Sequence, residues 1–129
     1  MSKFITAVWR ITINLIPIVA IGFMAGYTMA WWTIAPIAFV FTALKKQYSP
    51  LNGFLTTFTA GFLLWMGYAA VLNYGNNGVL AARIGSMLAA GNQGMPPVGL
   101  LLLTGLIGGL MAGLAGITGV YARELKQPN

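Results

Sequence analysis

The side chains that most often carry enzyme chemistry are almost missing from this sequence. It contains no cysteine, histidine or aspartate, and Glu124 is its one acidic residue. The chain therefore lacks the usual ligands of zinc, iron and haem, as well as paired carboxylates and nucleophile–base pairs. We expect no catalytic residues, no cofactor, no metal site and no enzymatic activity.

The polar groups that interrupt the apolar segments are amides and hydroxyls. Neutral groups of this kind can line the path of a channel or passive transporter. They also have a purely structural use, because hydroxyls in membrane helices bond to carbonyls of the preceding turn and asparagines bond to neighbouring helices. Both interpretations stay open for the five candidates, which are Asn14, Thr56, Thr57, Thr59 and Asn73.

Small residues recur every four positions near the end of the chain, a pattern typical of a glycine zipper. Such rows let helix backbones approach closely and gain dispersion and weak CH···O contacts. They can serve packing within the chain, self-association, or both. The first row is Gly105, Gly109 and Gly113, the second is Gly108, Ala112 and Gly116, and the third is Ala115 and Gly119.

Two arginines are candidates for contact with lipid or with a partner. Arg10 lies in the first apolar segment, from which its long side chain can reach the headgroups. Arg83 lies in a short, less apolar stretch between glycine-containing turns. We expect either arginine to contact a lipid phosphate or a partner protein.

The composition indicates whether water or lipid surrounds this chain. Hydrophobic residues make up 58% and charged residues 6% of the sequence, whereas soluble domains contain about 25% charged residues. So few charges cannot cover a water-facing surface, so membrane lipids are the expected surroundings. The net charge of +6 is spread over single or paired basic residues, which favours anionic headgroups and not nucleic acid as the partner.

Segments of bilayer length predict the fold. A membrane-spanning helix needs about 20 residues, and the apolar block 4–44 is long enough for two, with a turn expected near Gly22–Thr28. The polar stretches 45–53 and 73–77 separate later spans, and Pro97 suits the start of a helix. We predict an all-α, polytopic membrane protein with one domain over 1–129. Its four transmembrane helices lie at about 4–23, 27–44, 54–72 and 98–121, with a short interfacial or re-entrant helix at about 78–90.

The basic residues predict the orientation. Loops on the cytoplasmic side are enriched in lysine and arginine. With both termini in the cytoplasm, only Arg83 lies outside, and the inner membrane of a bacterial cell is the expected location. The residues then placed inside are Lys3, Arg10, Lys45, Lys46, Arg123 and Lys126.

Two short resemblances bear on function. The segment 53–59 (GFLTTFT) resembles the threonine- and phenylalanine-rich stretch of the small fluoride channels, but the second predicted span lacks the asparagine of that family, so no residue role carries over. The size and span count are similar to those of the small multidrug exporters. Those exporters carry an acidic residue in their first helix, where this chain has the neutral Asn14.

These observations leave two functional hypotheses. The first is a non-catalytic accessory or structural subunit that packs through its glycine-rich faces with itself or with a larger membrane complex. The second is a homo-oligomeric channel or passive transporter for a small solute or ion. Polar residues paired locally in a dry core would favour the first, and a hydrated polar groove would favour the second.

Overall fold

The computed structural model describes residues 2–28, 31–45, 49–88 and 94–126. Of these residues 93% are helical and none forms a strand, so the all-α prediction is confirmed. The helices are α1 (Ser2–Thr28), α2 (Ile34–Leu44, preceded by a 3₁₀ turn at Trp31–Thr33), α3 (Pro50–Gly75), α4 (Val79–Leu88) and α5 (Pro97–Lys126). Lys46 and the end of the predicted interfacial helix at 89–90 lie outside the described residues.

Local signals explain where the later helices begin and end. Ser49 caps α3 by accepting a hydrogen bond from the Asn52 backbone N–H, and Pro50 occupies the first helical turn, where a missing N–H costs nothing. Two residues with positive φ, Asn77 at 54° and Gly78 at 73°, follow the end of α3 and turn the chain into α4. α5 begins at Pro97, as predicted.

Three helices are long and apolar enough to cross a membrane. Their candidate spans are Lys3–Ala25, Pro50–Gly75 and Pro97–Lys126. α2 has 11 residues, which corresponds to about 16 Å of helix against a hydrocarbon core of about 30 Å. The 3₁₀ turn before it adds about 6 Å.

The first helix is longer than predicted. α1 continues through the stretch 22–28, which the sequence predicted as a turn, and ends at Thr28. Gly22 is instead a packing position, because a Cβ there would lie 2.9 Å from the Leu64 side chain and 3.1 Å from the Ile34 side chain. Close approach of neighbouring helices explains this glycine.

The long helices alternate in direction. Gly22 of α1 lies beside Ile34 at the start of α2, whereas Asn14 of α1 contacts Lys45 just after its end. α1 and α2 are therefore antiparallel. Lys45 also contacts Arg123 near the end of α5. We call the end of the bundle where α1 and α3 begin, and where α2 and α5 end, the basic end.

The core is small and the outer surface is apolar. Ile16, Leu44 and Leu110 are among the many aliphatic side chains that stay exposed, Leu44 to 76%. A soluble monomer rarely exposes continuous apolar surface of this extent. The bundle is therefore compatible with a membrane environment. Its buried core cluster consists of Ile18, Ile34, Ala38, Ala60 and Ala112.

Candidate functional site

The contact between α3 and α5 is the most extensive in the fold. One side of it is a ladder of phenylalanine rings on α3, whose successive centroids lie 5.7 and 6.2 Å apart. The first small-residue row of α5 fits against this ladder. The opposing pairs are Phe54 with Gly113, Phe58 with Gly109, and Phe62 with Gly105.

A Cβ on any glycine of this row would crowd α3. A Cβ on Gly113 would come within 2.7 Å of the Phe54 ring, and a Cβ on Gly109 would lie 3.0 Å from the Phe58 carbonyl oxygen. Contacts this close bring backbone and ring atoms to distances at which dispersion is strongest. The row is therefore filled by this chain's own α3.

The second row of α5 brings two backbones together. Gly61 of α3 lies opposite, and a Cβ there would be 2.6 Å from the Ala112 Cβ and 2.7 Å from the Gly108 carbonyl oxygen. Gly108 also receives the Trp65 side chain, and Gly116 receives the Thr57 side chain. All three residues of this row are buried inside the chain.

The third row packs against α2. Gly119 lies so close to Thr42 and to the Phe39 carbonyl that it has no room for a side chain. The buried Thr42 hydroxyl lies 2.8 Å from the Gly116 carbonyl oxygen and 3.0 Å from the Ala38 carbonyl oxygen. Its single proton can be donated across the interface or within α2, and the first choice links the two helices.

Sequence reasoning missed the α3 half of this interface. Gly53, Thr57 and Gly61 are buried and face α5. They repeat every four residues, which is the same signal that identified the rows on α5. Ala38 and Thr42 of α2 are also four residues apart and buried, and this shorter repeat was missed as well.

The structure does not gather the five polar candidates into one path. The Thr57 hydroxyl donates to the Gly53 carbonyl at 2.7 Å, and the Thr59 hydroxyl donates to the Leu55 carbonyl at 2.7 Å. Asn73 lies about 24 Å further along α3 than Thr57. The Thr56 hydroxyl is fully buried and has no hydrogen-bond partner among the described residues.

Asn14 lies at the basic end and is 5% exposed. Its amide nitrogen donates to the Arg10 carbonyl oxygen at 2.7 Å, one turn earlier in α1. Its amide oxygen accepts a hydrogen bond from the Lys45 ammonium. Both ends of the side chain are thus paired locally.

Asn73 lies at the opposite end, beside a cavity of about 160 Å³ between α3, α4 and α5. Asn76, which the sequence analysis did not single out, lines the same cavity. The amide oxygens of both asparagines are buried and have no hydrogen-bond partner among the described residues. The apolar walls come from Leu72, Leu80, Ala81, Ile84, Leu100 and Leu101, and Thr104 also lines the space.

The two predicted contact arginines lie on separate surfaces. Arg10 is exposed on α1, and Arg83 is exposed on α4. α4 itself is held against the entry to α5, because the Met95 N–H donates to the Gly85 carbonyl at 3.0 Å. A Cβ on Gly85 would collide with the Met95 carbonyl oxygen.

The chain was compared with known protein families, curated proteins and solved structures. None of them matches it.

Proposed function

We propose that this protein is a non-catalytic accessory or structural subunit of a membrane complex. The observation that carries the proposal is that the glycine rows, and three of the five polar candidates, find their partners within one chain. α3 and α2 fill the rows of α5, and Thr57, Thr59 and Asn14 are paired locally. A partner or a second copy would then contact the exposed aliphatic surface instead of the rows.

The exposed surface offers three faces for such a contact. Ile16 on α1, Leu63 on α3 and Leu110 on α5 are exposed to 63%, 43% and 43% respectively. An aliphatic face suits both lipid tails and an apolar helix of another membrane protein. Because lipid supplies no hydrophobic driving force, the choice between them depends on shape complementarity.

The proposed topology has four spans, with both ends in the cytoplasm. The alternating helix directions support it, because they bring the start of α1 and the end of α5 to the basic end. Exposed aromatic side chains support it as well. Trp9 and Tyr121 lie towards the basic end and Trp32 and Tyr74 towards the other, as interfacial belts require. The 3₁₀ turn and α2 together give the second, shortest span.

The proposed location is the inner membrane, with α4 at the outer interface. Leu80, Met87 and Leu88 on one side of α4 are exposed apolar side chains, and Arg83 and Ser86 on another side are exposed polar ones. An amphipathic helix of this kind lies in the headgroup plane. Arg83 would then reach lipid phosphates.

Co-purification tests the proposal. The full chain is tagged, expressed at native level and extracted in mild detergent, and its co-purifying proteins are quantified. We expect one foreign membrane protein in a constant ratio. The replacements Ile16→Trp, Leu63→Trp and Leu110→Trp should leave the fold intact, and one of them should lower that ratio. A chain that purifies alone, with all three variants indistinguishable from it, would contradict the subunit role.

The alternative is a homo-oligomeric channel or passive transporter. The unpaired amide oxygens of Asn73 and Asn76 beside their cavity favour it, because such groups suit a hydrated path. Reconstitution into liposomes separates the two functions. Solute or ion flux that Asn73→Leu abolishes would support the channel, and absence of flux from a correctly folded oligomer would support the subunit.

A further inference from the structure

The cavity between α3, α4 and α5 combines an apolar wall with a few polar side chains. Its volume is about 160 Å³, and the polar side chains that line it are Asn73, Asn76 and Thr104. None of the described residues in its lining carries a charge. The cavity therefore suits a neutral molecule, because an ion would find no counter-charge there.

The unpaired atoms of the cavity are hydrogen-bond acceptors. The amide oxygens of Asn73 and Asn76 are buried and have no partner among the described residues. The Thr104 hydroxyl donates to the Leu100 carbonyl oxygen at 2.9 Å, so its proton is already used. Buried acceptors without a partner cost free energy of folding. A molecule that donates hydrogen bonds would remove that cost.

The spacing of the two asparagines favours a ligand with two donors. Asn73 and Asn76 are three residues apart on α3, which places their Cβ atoms about 5–6 Å apart on one side of the helix. The terminal torsion of asparagine has a broad energy minimum, so a small rotation can present each oxygen to the cavity. Two neighbouring hydroxyls, as in a vicinal diol, can donate one hydrogen bond to each oxygen.

Water alone suits this cavity poorly. At liquid density the volume has room for about five waters, and each of them needs about two to four polar partners. Three polar side chains cannot supply so many, since the rest of the wall is aliphatic. An aliphatic cavity of about 150 Å³ in another protein stays dry and binds benzene. A short apolar chain would fill the aliphatic part in the same way.

The cavity is open to the surroundings. Leu72 and Leu80 in its wall are exposed to 53% and 55%, whereas Ala81 in the same wall is buried. An amphiphile can therefore place its polar end beside the asparagines and its apolar chain along the exposed leucines.

We propose that this cavity binds a neutral amphiphile with two neighbouring hydroxyl groups. Asn73 and Asn76 accept the two hydroxyl protons, and the aliphatic wall encloses the apolar chain. The diol can belong to a small free molecule or to the glycerol group of a monoacylglycerol. This inference goes beyond both functions above, because it requires neither a partner protein nor solute flux.

The test is a titration of the purified full chain in a neutral detergent, followed by NMR of the Ala81 and Ile84 methyl groups, which lie in the cavity wall. The probes are 1,2-hexanediol and its isomer 1,6-hexanediol, whose hydroxyls are too far apart to reach both amides. We expect 1,2-hexanediol to shift the methyl signals saturably. It should bind about threefold to tenfold more tightly than the isomer, the worth of one hydrogen bond.

A competition with monoolein distinguishes the two sources of the diol. Displacement of 1,2-hexanediol by monoolein would support the site and identify a lipid as its ligand. Binding of 1,2-hexanediol without displacement would support the site for a small free molecule. Equal affinity for the two hexanediol isomers would overturn the proposal, and so would methyl signals that no probe shifts.

Variants test whether the two asparagines form the site. Asn73→Leu and Asn76→Leu should each lower the affinity for 1,2-hexanediol about threefold to tenfold. Neither should destabilise the free protein, because each removes a buried acceptor that has no partner. The matched control is Asn52→Leu, which makes the same change at an exposed position of α3 and should leave the affinity unchanged.

A second kind of variant keeps the test valid if an asparagine variant fails to fold. Ala69→Leu leaves both amides in place and fills part of the cavity, so it should abolish binding of both isomers. Circular dichroism and elution volume check the folding of every variant. Unchanged affinity in the folded Asn73 and Asn76 variants would overturn the proposal, as would an equal loss in Asn52→Leu.

Discussion

Single atoms decide the packing of this bundle. Gly61 and Gly67 belong to the same helix and differ by less than two turns. A Cβ on Gly61 would strike Ala112 and the Gly108 carbonyl, whereas a Cβ on Gly67 would have no atom within 4 Å. Gly61 is therefore required for close packing and Gly67 is not, although the sequence alone does not distinguish the two glycines.

Gly61→Ala should destabilise the bundle by about 1–3 kcal/mol, the usual cost of overpacking. The Gly108 carbonyl is backbone and can yield only if α3 and α5 move apart. The matched control, Gly67→Ala, should be neutral or slightly stabilising, because alanine favours helix over glycine. Denaturation in mixed micelles, followed by circular dichroism, measures both. Equal stability of the two variants would show that the α3–α5 contact is looser than described.

Thr42→Val should cost about 0.5–1.5 kcal/mol, the range for one interhelical hydrogen bond. Valine has nearly the same shape, so the loss reports the hydroxyl bond to the Gly116 carbonyl. The control is Thr118→Val on α5, whose hydroxyl is exposed and bonds within its own helix, to Leu114 at 2.7 Å. Its stability in the same denaturation assay should match that of the parent chain. A larger loss for Thr118→Val than for Thr42→Val would contradict the α2–α5 link.

The rows on α5 could be predicted from the sequence, because spacing alone places small residues on one face of a helix. Which helix each row packs against could not be predicted, although Gly53, Thr57 and Gly61 of α3 show the same spacing. Thr57 was predicted as a candidate path residue, but it packs against Gly116 and bonds to the Gly53 carbonyl. A threonine is the same residue in the sequence whether its hydroxyl lines a path or packs against another helix. Only the neighbouring helix distinguishes the two uses.

At the scale of elements, length and composition predicted the long helices well. The third and fourth predicted spans, 54–72 and 98–121, lie inside α3 and α5. The boundary between the first two spans was harder to place, because glycine serves both turns and close packing. Gly22 allows close packing and does not form a turn, and α1 continues past it to Thr28.

One glycine of α4, Gly85, lies in close contact with the segment that enters α5. Gly85→Ala should push the Met95 carbonyl away and break the Met95 N–H bond to the Gly85 carbonyl. We expect faster amide hydrogen exchange over residues 79–88, with little change in α3 and α5. The control is Ser86→Ala, since Ser86 is exposed and its hydroxyl bonds locally, to the Arg83 carbonyl at 2.7 Å. Unchanged exchange in Gly85→Ala would mean that α4 is held by other contacts.

In the whole molecule, exposed apolar residues surround a small buried core cluster. Lys45 and Arg123 bring α1, α2 and α5 together at one end, and glycine rows join α5 to α3 and α2. The chain thus completes its own packing, and this is the basis on which we infer that its outer faces serve lipid and a partner. We propose that all four helices α1, α2, α3 and α5 cross the membrane, with the basic end in the cytoplasm.

Cysteine labelling in intact cells tests this topology, because the parent chain contains no cysteine. The substitutions Asn52→Cys and Ser86→Cys both fall on exposed positions, one at each end of the bundle. An impermeant maleimide should label Ser86→Cys in intact cells, and it should label Asn52→Cys only after permeabilisation. The reverse pattern would rule out the proposed topology, because it would place the basic end outside or leave α2 short of crossing.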